Sequence, residues 1–282
     1  MNRLFPATLI AVAASLATQA GEPPTPAKAR FPWERVTASL IDEKCTDADI
    51  RALATKYPDL QDLQIGWPGM TDAVLKEAAK LSTVEALDIR NSSIYSRDGR
   101  VKRVALTADG WKALRGLPKL RELSVNDTLI DEAAMKEIGQ LRQLTTLYLA
   151  HNDITDAGAK HLAGMTQLTK LGLLQKGITD DSVPALMKLQ AVEILLVDQT
   201  GFTDAAVKTF ATLPKLTEID VRAEKITPEG VKTLAACKSL RRLTVHQRQV
   251  PAEVLGALRE GNGKLLVGIT DTGRYLEPLG GR

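Results

Sequence analysis

The amino-acid sequence predicts an α/β fold, a right-handed solenoid with a concave parallel β-sheet and short convex helices. Three observations predict it. Each repeating unit has an alternating apolar run followed by apolar residues three apart. A unit of 24 residues is too small to bury its own apolar face, so neighbouring units must stack. The pattern L-x-x-L-x-L recurs in steps of 24 residues, with one step of 36, and starts at Leu60, Val84, Leu120, Leu144, Leu168, Val192, Leu216 and Leu240.

The two halves of each unit have different periods. Leu147 and Leu149 alternate with polar or small residues, which is the period of a strand with one buried face. Val231, Leu234 and Cys237 are spaced three apart, which is typical of a short amphipathic helix. Helices are wider than strands, so a stack of such units curves with the sheet on its concave side.

A threonine precedes six of the predicted helices, at Thr71, Thr107, Thr155, Thr179, Thr203 and Thr227. In the unit around Thr155 and Asp156, the Thr hydroxyl is expected to accept a hydrogen bond from an unpaired backbone N–H. The Asp would lie favourably at the positive end of the helix dipole. The recurring acidic residues could instead form a row of metal ligands, but their place at the helix starts favours a role in helix capping. The recurring acids are Asp72, Asp156, Asp180 and Asp204.

Residues 1–20 have the features of a secretory signal peptide. Arg3 provides the positive charge, an apolar run follows, and small residues predict cleavage after Ala20. The apolar run is too short to cross a bilayer, and no later stretch is long enough to do so. The mature chain is therefore expected to be secreted or periplasmic, with no integral membrane span.

The mature chain is predicted to form one domain after a short linker. Residues 21–34 are the Pro-rich linker, and residues 35–282 form the repeat domain. This domain is expected to begin with an irregular unit and to contain eight to nine repeats. Residues 95–105 form an insertion, and residues 264–282 form a C-terminal cap.

The repeats resemble those of the leucine-rich repeat family. The resemblance is strongest in the segment LTTLYLAHNDITDAGAKHLAGM, which follows the bacterial extracytoplasmic pattern L-x-x-L-x-L-x-x-T-x-I-T-D-A-G. It covers residues 35–274 and implies a horseshoe-shaped scaffold that presents binding surfaces. Asn152 fits the position where the family has a polar residue that bonds the turn. Lys176, Glu224 and Arg248 depart from the pattern at that position.

Composition limits the classes of partner. Lys and Arg number 37 against 34 Asp and Glu, which gives a net charge of +3. A nucleic-acid partner usually requires a larger basic excess, and aromatic residues, at 4%, offer few stacking surfaces. We therefore expect no nucleic-acid partner.

Catalytic and metal-binding patterns are not found in the sequence. Cys45 and Cys237 lie about six units apart, roughly 29 Å along a sheet, too far for a disulfide. His151 and His246 are four units apart and cannot share one metal ion. The sequence therefore predicts a protein that is not an enzyme and that has no cofactor and no metal.

The predicted concave face has one apolar cluster. With Leu147 and Leu149 pointing into the core, alternate residues of every strand face the concavity. Gly172 is expected to leave a gap within the cluster. There are two alternatives to a partner-binding site. Either the repeat sequence tolerates stray apolar residues on this face, or a neighbouring chain or tail covers them. The predicted partner-binding residues are the apolar Tyr148, Leu174, Ile194 and Leu196 with the charged rim Lys170, Asp198, Glu218, Asp220 and Arg222.

The insertion is the second candidate site. Asp98-Gly99 predicts a two-residue hairpin, and the surrounding segment is the most basic of the chain. A solvated surface hairpin is the alternative to a binding loop. The basic residues of this loop are Arg97, Arg100, Lys102 and Arg103.

These features favour a secreted or periplasmic protein–protein interaction module that binds a protein or peptide ligand on its concave face without catalysis. The alternative is a structural or self-assembling component of the cell envelope. The two hypotheses differ in whether the chain assembles with itself in the absence of a partner.

Overall fold

The computed structural model describes residues 36–41, 45–67, 70–90, 106–126, 128–261, 264–269 and 274–276. The predicted signal peptide, linker and insertion, including the basic loop residues, lie outside the described residues. The same is true of much of the predicted C-terminal cap.

The described strands form one sheet in which each strand pairs with the next in chain order. Strands β1 to β10 are parallel, and β11 pairs antiparallel with β10. The strands are β1 Thr37–Leu40, β2 Asp62–Ile65, β3 Ala86–Arg90, β4 Glu122–Asn126, β5 Thr146–Ala150, β6 Lys170–Leu174, β7 Ile194–Leu196, β8 Glu218–Asp220, β9 Arg242–Val245, β10 Leu266–Ile269 and β11 Arg274–Leu276.

A short helix follows each of the first nine strands, and one strand with its turn and helix forms one coil of the solenoid. Each helix packs beside the helices of the adjacent coils. The helices are α1 Asp47–Lys56, α2 Asp72–Ala78, α3 Ala108–Ala113, α4 Glu132–Ile138, α5 Asp156–Ala159, α6 Val183–Leu186, α7 Asp204–Phe210, α8 Pro228–Ala235 and α9 Ala252–Gly261. Single 3-10 turns are found at Leu114–Gly116, Lys160–Gly164, Asp180–Ser182 and Gln247–Gln249. The fold is the predicted α/β leucine-rich-repeat solenoid, with the strands on the concave side and the helices on the convex side.

The strand register confirms the 24-residue period. Thr146 pairs with Lys170, and Lys170 pairs with Ile194, so equivalent residues of successive units lie side by side. Across the single 36-residue step, Ala86 pairs directly with Glu122. The twelve additional residues therefore leave the register of the sheet unchanged.

The core lies between the sheet and the helices. Leu147 and Leu149 are fully buried, as the alternation predicts. The largest buried side chain, Trp111, donates its indole N–H to the carbonyl of Leu106 at 3.1 Å, so its one polar atom is satisfied. Buried apolar side chains from all the described coils join in one core.

The threonines cap the helices only in part. Thr71, Thr179, Thr203 and Thr227 each accept a hydrogen bond from the N–H two residues later. Thr107 and Thr155 accept no such bond.

The recurring aspartates bond the next coil as well as facing the helix dipole. Asp156 accepts two bonds from Thr179, at 2.7 Å from its N–H and 2.7 Å from its hydroxyl. The sequence predicts only the dipole role, because the bonded threonine is 23 residues away. The same pair of bonds joins Asp72 to Thr107, Asp180 to Thr203 and Asp204 to Thr227.

Buried polar side chains bond the turns that follow the strands. The Asn152 carbonyl oxygen accepts from the N–H and the hydroxyl of Thr128, both at 3.1 Å. Its amide nitrogen donates to the carbonyls of Val125 and Ala150, both at 3.0 Å. The Gln175 side chain accepts from the Asn152 N–H at 3.0 Å. These bonds link three successive coils and explain why such polar side chains are buried.

Candidate functional site

The centre of the concave face is organised by Tyr148 and Gly172. The two residues are register partners on β5 and β6, and Leu196 follows in the same row on β7. A Cβ added at residue 172 would lie 2.6 Å from Cδ1 of Tyr148, so the tyrosine ring packs on the glycine backbone. The predicted gap at Gly172 is therefore wrong: the aromatic ring fills it, because glycine leaves no side chain in the way.

The four apolar residues of the predicted cluster lie around this ring. Tyr148 and Leu196 share a row, Ile194 is two residues before Leu196, and Leu174 is two residues after Gly172 on the same face. All four apolar side chains are half-buried, and none is fully exposed. The four residues are therefore half-buried apolar side chains on three neighbouring strands of one sheet face.

Carboxylates lie near the hydroxyl of Tyr148. Burial of the phenol raises the pKa of Tyr148, and the negative charges of Glu218 and Glu122 raise it further. The hydroxyl therefore remains protonated at neutral pH and is able to donate a hydrogen bond at the centre of the concave face.

The predicted charged rim is largely paired within the molecule. The Arg222 guanidinium donates to both carboxylate oxygens of Asp220, at 2.7 to 3.0 Å, and lies 3.2 Å from Asp198. Asp198 and Asp220 are only 8% and 7% exposed, so they do not form the solvated rim that the sequence predicted. The reason is that Arg222 reaches back along its own strand and across to the preceding coil. Burial nevertheless raises the pKa of Asp220, while its bonds to Arg222 act in the opposite direction.

The remaining rim residues differ in their partners. Glu218 accepts from Arg242 on the next strand at 2.6 Å. Lys170 is exposed beside Ile194, and within the described chain its side chain has no ion-pair partner. Lys170 is thus the rim charge available to an external carboxylate or carbonyl group.

A cavity of about 500 Å³ lies where strands β6 to β9 end and the turns begin. We call it the edge pocket. It is not evident from the sequence, because its residues come from turn positions of separate coils. In the sequence those positions stand out only as departures from the repeat. The side chains that define the edge pocket are Lys176, Asp198, Gln199, Arg222, Lys225 and Arg248.

A second cavity of about 380 Å³ adjoins the edge pocket and shares Lys176 and Gln199 with it. Leu174 of the apolar cluster lines this second cavity. His151 and Gln199, one in each cavity wall, have left-handed backbone conformations with φ of 54° and 56°. The cavities therefore continue the concave face over the carboxyl ends of the strands.

Metal binding is not indicated by the residues that the structure describes. In those ranges, His, Cys, Asp and Glu side chains form no group of three that could hold a metal ion. The recurring aspartates, for which a row of metal ligands was the alternative explanation, accept hydrogen bonds from threonines. Every described helix is too short or too polar to span a bilayer.

The chain is similar to proteins of known structure, but a search of curated proteins gives no match. Internalin C2 of Listeria monocytogenes is 22% identical over 71% of this chain and 84% of its own, with a TM-score of 0.43. Internalin F of the same organism is 21% identical over 79% of this chain and 66% of its own, with a TM-score of 0.47.

The third similar structure is the TLR13 chain of a complex with ssRNA13. It is 18% identical over 79% of this chain and 30% of its own, with a TM-score of 0.49. The present chain thus spans less than a third of that protein.

The family model described as Leucine Rich repeat matches residues 140–163. This segment contains β5 and the turn bonded by Asn152. The same 24-residue register joins the strands on either side of it. This match and the repeated strand–turn–helix coil show that the chain has the leucine-rich-repeat fold.

Proposed function

We propose that this protein is a secreted or periplasmic binding module without catalytic activity, and that it binds a protein or peptide partner on its concave face. The observation that carries the proposal is the cluster of Tyr148, Leu174, Ile194 and Leu196 on a sheet face whose other residues are mostly polar. An apolar centre with a polar surround is the usual composition of a protein contact.

The arrangement of the cluster supports binding more than random drift of the repeat. Three neighbouring strands contribute to it, and Gly172 leaves room for the Tyr148 ring over the strand between the other two. Rigid aromatic side chains that are already packed lose little conformational entropy on binding. The protonated Tyr148 hydroxyl and the exposed Lys170 would supply polar contacts next to the apolar centre.

The cluster is tested by a photo-crosslinking amino acid introduced at residue 196, with residue 160 as the matched control. Leu196 lies on the concave face, whereas Lys160 is exposed on the helix side of an earlier coil. We expect a discrete crosslinked polypeptide from position 196 in the native extract and none from position 160. Equal crosslinking at both positions, or none at either, would contradict the proposal.

A substitution adds a second test of the same surface. Leu196→Asp is expected to abolish capture of the crosslinked partner, because it places a charge in the apolar centre. The melting temperature should change little, since the side chain is only half-buried. Capture that is unaltered in this variant would remove the cluster from the binding surface.

The location and the assembly state are tested separately. N-terminal sequencing of the secreted protein should give a chain that starts after Ala20. Analytical ultracentrifugation of the purified protein should show no concentration-dependent assembly. Assembly without a partner would favour the structural, self-associating role instead.

A further inference from the structure

The edge pocket has an excess of cationic side chains. Lys176, Arg222, Lys225 and Arg248 contribute four positive charges, against the carboxylates of Asp198 and Glu224. Arg222 is shared between Asp198 and Asp220, so these three side chains together carry a net charge of −1, which is smaller than the charge of the three other cations.

The three other cations are available to a ligand. Lys176, Lys225 and Arg248 are exposed, and none of them has an ion-pair partner among the described residues. Glu224 is the one remaining carboxylate of the lining, and no described ion pair involves it. The cavity therefore presents a net positive potential to anything that enters it.

Lys176 and Arg248 are not needed to bond their turns. At the equivalent position Asn152 is buried and bonds two coils. In the turn of Lys176 that work is done by the neighbouring Gln175, whose side chain bonds the Asn152 N–H and a strand carbonyl. In the turn of Arg248, Gln249 donates to three carbonyls of the preceding coil and accepts from the His246 N–H.

Because the two buried glutamines bond these turns, the side chains of the adjacent Lys176 and Arg248 are not required for that bonding. Lys176 and Arg248 come from coils three repeats apart in sequence, and both line the same cavity. A structural requirement does not account for this convergence of cations.

The edge pocket is continuous with the concave-face cluster. Gln199, which lines the edge pocket, is three residues beyond Leu196 along the chain, in the turn that follows β7. Leu174 belongs to the cluster and lines the cavity that shares Lys176 with the edge pocket. A polypeptide that crosses the cluster along the strand direction would therefore pass directly from apolar side chains to cations.

We infer that the edge pocket binds the carboxylates of an acidic segment of the polypeptide partner. The identity of the ligand as part of that partner rests on the proposed function, whereas the pocket's affinity for carboxylates does not. Lys176, Lys225 and Arg248 form the charge-assisted bonds, and Arg222 remains held by its two aspartates. The segment carries several Asp or Glu residues close together, because the three cations belong to different coils and each pairs with its own carboxylate.

The test uses a fluorescein-labelled hexaglutamate peptide as the probe, with hexaglutamine as the neutral peptide, and measures fluorescence anisotropy. Wild-type protein is expected to bind hexaglutamate saturably and hexaglutamine not at all. Affinity should fall as salt is added, since exposed charges are screened. In the double variant Lys176→Ala/Arg248→Ala we expect the affinity to fall by about tenfold or more.

The matched control is Lys136→Ala/Lys160→Ala, which removes the same charge from exposed positions on the helix side. It is expected to keep the affinity within about twofold, as screened distant charges should. Equal weakening in both double variants would show an effect of net charge and overturn the inference. Absence of saturable hexaglutamate binding would overturn it too, as would a site that takes inorganic phosphate and not hexaglutamate.

Two readouts separate this inference from the proposed function, namely hexaglutamate binding and crosslinking at position 196. If hexaglutamate binds as expected while position 196 crosslinks no partner, the proposed function fails and the carboxylate site stands. If position 196 crosslinks a partner and the Lys176/Arg248 variant binds hexaglutamate like wild type, the carboxylate site fails alone.

Discussion

Two positions of the same turn behave in opposite ways along the chain. At the start of the helices, an aspartate bonds the threonine of the next coil with the same geometry in four places, of which Asp180 and Thr203 are one. At the turn position itself the residue type changes: Asn152 is buried, whereas Lys176 and Arg248 are exposed. Asp occupies the helix start wherever it bonds the threonine of the next coil, whereas a turn position without such bonds, like those of Lys176 and Arg248, carries an exposed charged side chain.

The largest effect is expected at the bonded turn. Asn152→Ala leaves two strand carbonyls and the Thr128 N–H and hydroxyl without their partner in a buried site. We expect the free energy of unfolding to fall by about 3 kcal/mol, since each unsatisfied buried group costs about 1–3 kcal/mol and the site relaxes in part. Urea denaturation followed by circular dichroism measures this, and a loss below about 1 kcal/mol would contradict the assigned role.

The helix-start position gives the next largest effect. Asp180→Ala removes the two bonds from Thr203 and should cost about 2 kcal/mol in the free energy of unfolding. Asp181 is the matched control, because it is exposed in the same first turn and faces the same dipole. Asp181→Ala should cost about 0.5 kcal/mol. Equal losses would mean that the aspartates act through the dipole alone.

A double-mutant cycle tests the packing on the concave face. Gly172→Ala places a Cβ against the Tyr148 ring and should cost about 1 kcal/mol. The same substitution in a Tyr148→Ala background should cost nearly nothing, because the ring is gone. The cycle gives the coupling energy between the two residues. A cost that persists without the ring would place the strain elsewhere in the strand.

The smallest expected effect is a pH dependence. Burial raises the pKa of Asp220, so its ionised form destabilises the folded state at neutral pH. This cost is absent below the ordinary pKa of an aspartate and is complete above the raised pKa. As the pH falls through that window, the free energy of unfolding of wild type should therefore rise relative to that of Asp220→Asn. A difference that is constant with pH would contradict the shift.

The sequence predicts most of the fold because the period identifies equivalent residues. The register of Thr146 with Lys170, the buried Leu147 and the position of the apolar cluster all follow from counting in steps of 24. The continuity of the sheet across the 36-residue step follows in the same way.

Individual side-chain contacts between coils could not be predicted in this way. The Tyr148 ring lies over a residue of the next strand, Arg222 reaches two aspartates, and Gln249 bonds the preceding coil. Each depends on the length and rotamer of one side chain, which a period does not specify. The edge pocket is hidden from the sequence for the same reason, since it is formed where several such side chains converge.

The turns contain one set of residues that holds the coils together and another that is free to bind. The most direct test of this division is the free energy of unfolding of Lys176→Ala/Arg248→Ala, measured on the samples used for hexaglutamate binding. We expect the free energy of unfolding of this variant to lie within about 0.5 kcal/mol of the wild-type value, although its hexaglutamate affinity is lost. A loss of stability comparable with that of Asn152→Ala would contradict the division, because these two cations would then help to hold the coils together.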